Sequence, residues 1–301
     1  MSGGRPLYRS LRDGRAVGLY GSDEQRGCLN ALTPERTRAA AGLIRTGEAF
    51  GLNAPLDYPY PHPHLRRTAP THVVIRYPER RDEYFDGLYP QSGSQWDGFL
   101  HFRDMEHDCF YNGNTDESRG IEAWAARGIA GRGVLLDVAR FREARGRTID
   151  WSASDVVTVD DLVECADAQG VAIGEGTILI VRFGWETGWT AATVAERLAV
   201  IRPVFKSPGL EPSLAMVEHL WDWGLAAVAA DNFGLEPMPM GDYVMHVDLL
   251  PRLGMPIGEF WHVDELAAVC AREGRYEFFL TSAPLHVRGG IGSTANALAI
   301  L

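Results

Sequence analysis

The sequence predicts an α/β fold, a mixed β-sheet core flanked by helices, and three observations carry that expectation. Short apolar runs end at an acidic, basic or glycine residue: Val134-Leu135-Leu136 at Asp137, Ile178-Leu179-Ile180-Val181 at Arg182 and Gly184, and Leu225 to Ala230 at Asp231. Runs of this length with such boundaries read as buried strands feeding polar loops. Between them lie amphipathic stretches with helix-start signals, and strands alternating with helices indicate an α/β architecture. Finally, no internal repeat, low-complexity segment or linker breaks the 301 residues, so one domain over 1–301 is expected, with a loosely structured N-terminal segment of about 25 residues.

The elements follow in order. Thr33-Pro34 places an N-cap threonine before a proline at the first helical position, where its missing N–H costs nothing. That helix is expected to bury Ala39, Ala40, Leu43 and Ile44 and to stop near Gly47. From Phe50 to Tyr89 the chain is rich in Pro, His and Tyr, which predicts irregular structure and edge strands, with His72 to Ile75 the β-prone run. Thr158 and Asp161 form a capping-box-like pair that starts a helix. Two more helices are expected over roughly Ser213 to Trp223 and Val263 to Arg272.

Composition excludes several classes. A net charge of −11 argues against a nucleic-acid partner, which demands a dense basic surface. The densest basic stretch, Arg66, Arg67, Arg76, Arg80 and Arg81, reads as a solvated strand edge or a subunit contact. Cys28, Cys109, Cys165 and Cys270 are scattered, which suits neither a structural zinc site nor a disulfide framework. Met1 to Gly18 has no apolar core like a signal peptide's, and no run is long enough to span a membrane, so a cytoplasmic protein is the expectation.

The most informative segment is Gln91-Ser92-Gly93-Ser94-Gln95-Trp96-Asp97-Gly98-Phe99-Leu100-His101. Gly93, Asp97 and His101 hold the spacing of H-x-G-T-H-x-D-x-P-x-H, and the segment resembles that hallmark of the cyclase (kynurenine formamidase-like) family. Gln91 and Gln95 stand where the family places two histidines, a variant that matches its branch reading Gln-Trp-Asp-Gly. Cys28 to Arg36, Tyr111-Asn112-Gly113, Gly133 to Asp137, Phe183-Gly184-Trp185, Pro208-Gly209-Leu210, Ala283-Pro284-Leu285 and Gly289 to Ser293 fit the family in order, so the resemblance covers nearly the whole chain from about Gly27. It implies the cyclase-family, swivelling β/β/α-like fold and a homodimer or homotetramer.

The resemblance also implies a metal site. The family's two histidines and aspartate bind metal, and its last histidine acts as acid and base. Met245 to Leu250 and Pro256 to Glu259 resemble its remaining ligand segments. Carried over, Asp97, His246 and Glu259 are ligands, Gln95 and Gln91 stand in for histidines, and His101 is the catalytic residue. Spacings of four and two in a tight loop let side chains at 91, 95 and 97 face a common centre. A glutamine oxygen is a weaker donor to zinc than imidazole but acceptable to manganese or magnesium. One divalent metal is therefore expected, manganese ahead of zinc, with a metal-free site as the alternative. Trp96, Phe99, Tyr111, Asn112 and Asp231 are the candidate substrate contacts, with Phe102, Phe110, Trp185 and Trp189 as further aromatic walls.

Gly290-x-Gly292-x-x-Ala295 mimics a dinucleotide fingerprint but lacks the following strand and acidic residue. Ser94 reads as a hydrogen-bonding turn serine, since no nucleophile elbow, H-E-x-x-H or P-loop is present. The expectation is a metal-dependent hydrolase of a carbon–nitrogen bond in a small non-peptide amide or cyclic amide. A small-molecule-binding protein with a degenerate metal site and a metal-free acid/base lyase are its rivals.

Overall fold

The computed structural model describes residues 5–64, 66–115 and 119–301. Its strands are β1 (Ala49–Gly51), β2 (Thr71–Arg76), β3 (Arg81–Asp86), β4 (Gln95–Asp97), β5 (Ile129–Asp137), β6 (Val156–Val157) and β7 (Thr177–Arg182). They continue with β8 (Gly209–Leu210), β9 (Ala227–Ala230), β10 (Ile257–Glu259), β11 (Glu277–Ser282), β12 (Gly292–Thr294) and β13 (Ala297–Ile300). Nine of them form one sheet in the order β1-β13-β11-β5-β7-β9-β10-β4-β12.

The centre of that sheet is parallel, with Leu135 opposite Ile180, Ile180 opposite Ala229, and Val228 opposite Ile257. These are the strands visible as apolar runs in the sequence. Ile178 to Val181 is fully buried, as expected where helices cover both faces of a parallel sheet. Antiparallel strands flank the centre on both sides, which makes the sheet mixed. Strand β5 begins five residues before its apolar run because Gly133 lets it approach β11: a Cβ there would come within 2.3 Å of the Phe278 ring.

Helix Val159–Gln169 starts with the Thr158–Asp161 capping box and ends at Gly170 with φ +63°, a left-handed geometry suited to glycine. Ser213 caps helix Leu214–Asp222, and helix Asp264–Glu273 ends at Gly274. The first helix departs from expectation. It runs only over Pro34–Ala41 and buries Ala40, while Ala39 and Ile44 are exposed. The Gly42 N–H turns back to the Ala39 carbonyl and closes the helix before Gly47 is reached.

Strands β2 and β3 pair only with each other, in a hairpin that carries Arg76, Arg80 and Arg81 on solvent-exposed positions. Among its described residues the N-terminal segment has little regular structure beyond a single turn at Tyr8–Ser10, yet it is docked. Arg5 donates to the Leu225 carbonyl at 2.9 Å, and its guanidinium lies 3.9 Å above the Trp221 ring. All four cysteines are free and buried, and among the described residues no helix is long and apolar enough to cross a membrane.

Candidate functional site

Strand β4 is three residues long, and its pleat decides which side chains meet. Successive side chains on a strand point to opposite faces, so Gln95 and Asp97 share one face and Trp96 takes the other. The antiparallel pairing with β10 sets Gln95 opposite Glu259, and opposed residues share a face. Gly258 between Ile257 and Glu259 allows this register: a Cβ there would lie 2.6 Å from the Ala229 Cβ and 2.7 Å from the Trp261 Nε1. Gln95, Asp97 and Glu259 thus converge through strand geometry alone.

His246 comes from the short helix Met245–Val247, and a residue that sequence reasoning missed holds it there. Glu236 accepts hydrogen bonds from the Met245 N–H (2.9 Å), the His246 N–H (3.1 Å) and the His246 Nδ1 (2.6 Å). One buried carboxylate therefore caps the helix and fixes the imidazole, leaving Nε2 to face the other carboxylates. Nε2 lies 3.3 Å from Glu259 Oε1 and 3.9 Å from Asp97 Oδ2. Gln95 Nε2 donates to Glu259 Oε2 at 2.7 Å. His101 comes from the loop after β4 and places its Nε2 3.7 Å from Asp97 Oδ1.

Asp97, His246 and Glu259 each offer a ligand atom within 4.8 Å of the others. Asp97 is fully buried, and among the described residues neither of its carboxylate oxygens has a hydrogen-bond partner; the same holds for Gln95 Oε1. A buried, unpartnered carboxylate costs several kcal/mol, roughly, unless a cation or donor compensates it. Three orphaned oxygens and an imidazole nitrogen on one centre suit a divalent cation, so the residues fit the metal that the sequence implies.

Electrostatics follow from this crowding. Burial first, and then the Glu259 charge, hold the Asp97 carboxyl well above its usual range. Burial works against charge on His246, but hydrogen bonds to Glu236 and Glu259 outweigh it and raise the imidazole to about 10. Burial, reinforced by the neighbouring His246, lowers His101 to about 4, so it is neutral near pH 7.

His246 and Glu259 of the cluster, with His101, line a cleft of about 540 Å³, the size of a small-molecule site. Its walls are mainly apolar, with Phe102, Phe205, Phe233 and Met238 prominent, while His101, His246, Glu259 and Arg67 supply its polar points. Behind Phe233 an aromatic layer of Phe260, Trp185 and Trp189 supports the wall at centroid spacings of about 5 Å. Trp185 and Trp189 are thus fully buried backing rather than lining.

The candidate substrate contacts need correction. Trp96 points away from the cluster, fully buried, with its Nε1 on Ser282 Oγ (2.9 Å) and its ring against Trp261 (4.8 Å). Phe99 and Tyr111 pack on each other at 4.6 Å and, with Phe110 and Asn112, line a different hollow. Asn112 serves the backbone, donating to the carbonyls of Gly21, Ser22 and Glu24. Asp231 accepts from the Phe183 N–H at 2.7 Å and fixes the turn after β7. Gln91 is half-way out of the constellation: its amide nitrogen sits 2.8 Å from where a Cβ on Gly292 would be, and it is not drawn into the hydrogen bonds of the cluster. Ser94 is the turn serine expected, accepting from the Ala54 N–H at 2.8 Å and donating to the Phe260 carbonyl.

Two functional candidates, Glu236 and Arg67, had no sequence signal. Glu236 lies ten residues before His246, across a loop in which no helical or strand periodicity links the two. Arg67 was grouped with the hairpin arginines but turns into the cleft.

Comparison with known proteins agrees with this architecture. The Cyclase family model matches residues 43–237, well over half of the chain. The chain belongs to the cyclase family. Gln91 to His101 and Glu236 lie inside the matched span, and His246 and Glu259 lie beyond it. A crystal structure described as a novel cyclase is 32% identical to this cyclase, with a TM-score of 0.84, covering 95% of this chain and 99% of that one. Isatin hydrolase A from Labrenzia aggregata, bound to benzyl benzoate, shares the fold at 18% identity and a TM-score of 0.60, covering 86% and 94%. A structure described as a predicted metal-dependent hydrolase from Bacillus stearothermophilus does so at 16% identity and a TM-score of 0.53, covering 84% and 97%. A comparison with curated proteins finds no match.

Proposed function

We propose that this cyclase is a metal-dependent hydrolase that cleaves the carbon–nitrogen bond of a small non-peptide amide or cyclic amide. The observation that carries the reading is Asp97: a buried carboxylate whose two oxygens have no hydrogen-bond partner among the described residues, beside His246 and Glu259, which line an apolar cleft. Asp97, Glu259 and His246 would hold one divalent cation, with the Gln95 carbonyl oxygen as a further donor. This oxygen-rich set suits manganese better than zinc. When bound, such an ion polarises a carbonyl and lowers the pKa of water.

The chain's own residues supply the rest. Glu236 keeps His246 in the tautomer whose Nε2 faces the other ligands. His101, neutral near pH 7 and beside Asp97, takes the proton of the attacking water. The water oxygen bonds to the carbonyl carbon, the C–N bond breaks, and His101 returns its proton to the leaving nitrogen. Phe102, Phe205 and Phe233 hold a flat apolar substrate and exclude bulk water. The isatin hydrolase likeness favours a cyclic amide among the substrates. His101→Ala is expected to abolish turnover while the melting temperature stays close to wild type, and an active variant would end this assignment.

One observation favours a second reading. The Gln95–Glu259 and His246–Glu236 hydrogen bonds make a closed polar network that could persist without an ion, in a binding protein or an acid/base lyase. Elemental mass spectrometry of protein purified without chelator, with Asp97→Ala as control, separates the two. One equivalent of metal that the variant lacks supports the hydrolase; no metal in wild type, and none taken up on addition, supports the alternative.

A further inference from the structure

Resting on the hydrolase reading for its amide, the cleft says more about the rest of the substrate. The only lysine or arginine among the described residues lining it is Arg67. The Arg67 guanidinium lies on an aromatic shelf, 5.6 Å from the Phe233 ring centroid and 5.5 Å from that of Tyr89. Its Nη1 donates to the Gln91 carbonyl, and its Nε is buried with no partner. Among the described residues no carboxylate lies within ion-pairing distance of it, whereas Arg182 and Arg252, also half-buried, are each paired with two or more, and the equally carboxylate-free Arg5 and Arg197 direct their donors to backbone carbonyls. A guanidinium carries five donors in a fork that matches a carboxylate, so an unpaired one facing a cavity is a receptor awaiting its anion.

The charge balance of the site points the same way. Asp97 and Glu259 offer two negative charges, which one divalent cation would neutralise, while Glu236 is engaged by the Met245 and His246 N–H groups and by His246 Nδ1. His64 and His101 also line the cleft. Arg67 is the fixed cationic side chain among the described residues lining the cleft, and its charge is felt at Asp97 and Glu259. Its surroundings are apolar, where a single pairing is stronger than in water.

We propose that Arg67 is the anion-binding element of this cleft, so that the substrate is an amide or cyclic amide bearing a carboxylate on a flat apolar body. The body lies along Phe102, Phe205 and Phe233, the carboxylate meets Arg67, and the scissile carbonyl is thereby directed toward His246 and Glu259. Arg67 is a specificity-determining residue and takes no part in proton transfer.

The test is calorimetry on the protein as purified, with phenylacetate and its neutral isostere phenylacetamide as probes. Wild type is expected to prefer phenylacetate by about tenfold, the worth of one charge-assisted hydrogen bond. Arg67→Met is expected to abolish the preference while phenylacetamide binds as before, and Arg67→Lys to restore part of it. Equal binding of the two probes by wild type overturns the proposal. So does a preference that survives in Arg67→Met, which would place the carboxylate on the metal instead. Should Arg67→Met misfold, wild type decides by salt: added NaCl must weaken phenylacetate and leave phenylacetamide unchanged, and equal responses overturn the proposal. Turnover is scored separately on formanilide and 2-formamidobenzoate. An Arg67-dependent preference in a protein that hydrolyses neither refutes the hydrolase reading alone. Hydrolysis without any preference for the carboxylate refutes the Arg67 assignment alone.

Discussion

Glu236→Gln isolates the group that aims His246. In the native site Glu236 Oε2 accepts from the Met245 N–H, and Oε1 accepts from both the His246 N–H and Nδ1. Glutamine has the same shape but one oxygen. If that oxygen stays with His246, the amide nitrogen meets the Met245 N–H, donor against donor in a buried place, at about 1–3 kcal/mol. Charge is lost in either orientation, so the imidazole becomes less basic and its ring less firmly held. Losing such a supporting carboxylate typically weakens metal binding by about 10–100-fold, or about 1.4–2.7 kcal/mol. Isothermal titration with manganese chloride, after removal of bound metal and with circular dichroism to confirm the fold, measures this directly. A Glu236→Gln dissociation constant within about twofold of wild type would refute the assigned role of Glu236. Failure of wild type to bind any divalent cation would refute the metal site itself.

Two further outcomes concern stability. Burial and the Glu259 charge raise the Asp97 carboxyl in the folded state, so protonated Asp97 stabilises the fold below its unfolded value of about 4, and this contribution is lost as pH rises above it. In chelator, the wild-type melting temperature should therefore fall more steeply with rising pH than that of Asp97→Asn; parallel curves would count against an uncompensated charge at this position. Asp104 is the opposite case. Against its burial, hydrogen bonds from Arg252 and His107 hold it at about 2, with Arg252 Nε and Nη2 each at 3.1 Å. Its contribution is present above about pH 4 and lost as pH falls through about 2. Asp104→Ala should cost about 3 kcal/mol in urea unfolding and leave turnover intact, and a change below about 0.5 kcal/mol would show the pairing to be dispensable.

The fold was legible because its signals are local. The apolar runs at 134–136, 178–181 and 225–230 are central strands, and the Thr158–Asp161 box starts the helix it promised. What was misread depended on neighbours far away in the chain. The first helix stops at Ala41, ahead of its apolar continuation, and β5 extends through Gly131 and Gly133 because partners approach those glycines closely. Within the site, Asp97, His246 and Glu259 were named from the sequence and are brought together, and His101 stands beside them. Their chemical roles rest on the experiments above.

By itself the sequence determined the strand-and-helix alternation, which follows from periodicity and capping chemistry, while its resemblance to the cyclase family supplied the candidate residues of the metal centre. Only the tertiary structure decided which way those side chains face. A strand's period of two sends Asp97 to the cluster and its neighbour Trp96 into the core. The packing of a ten-residue loop then brings Glu236 to His246, and chain folding over more than a hundred residues brings Arg67 into the same cleft. No local pattern records such meetings, because they are set by the packing of the whole sheet rather than by any stretch of it.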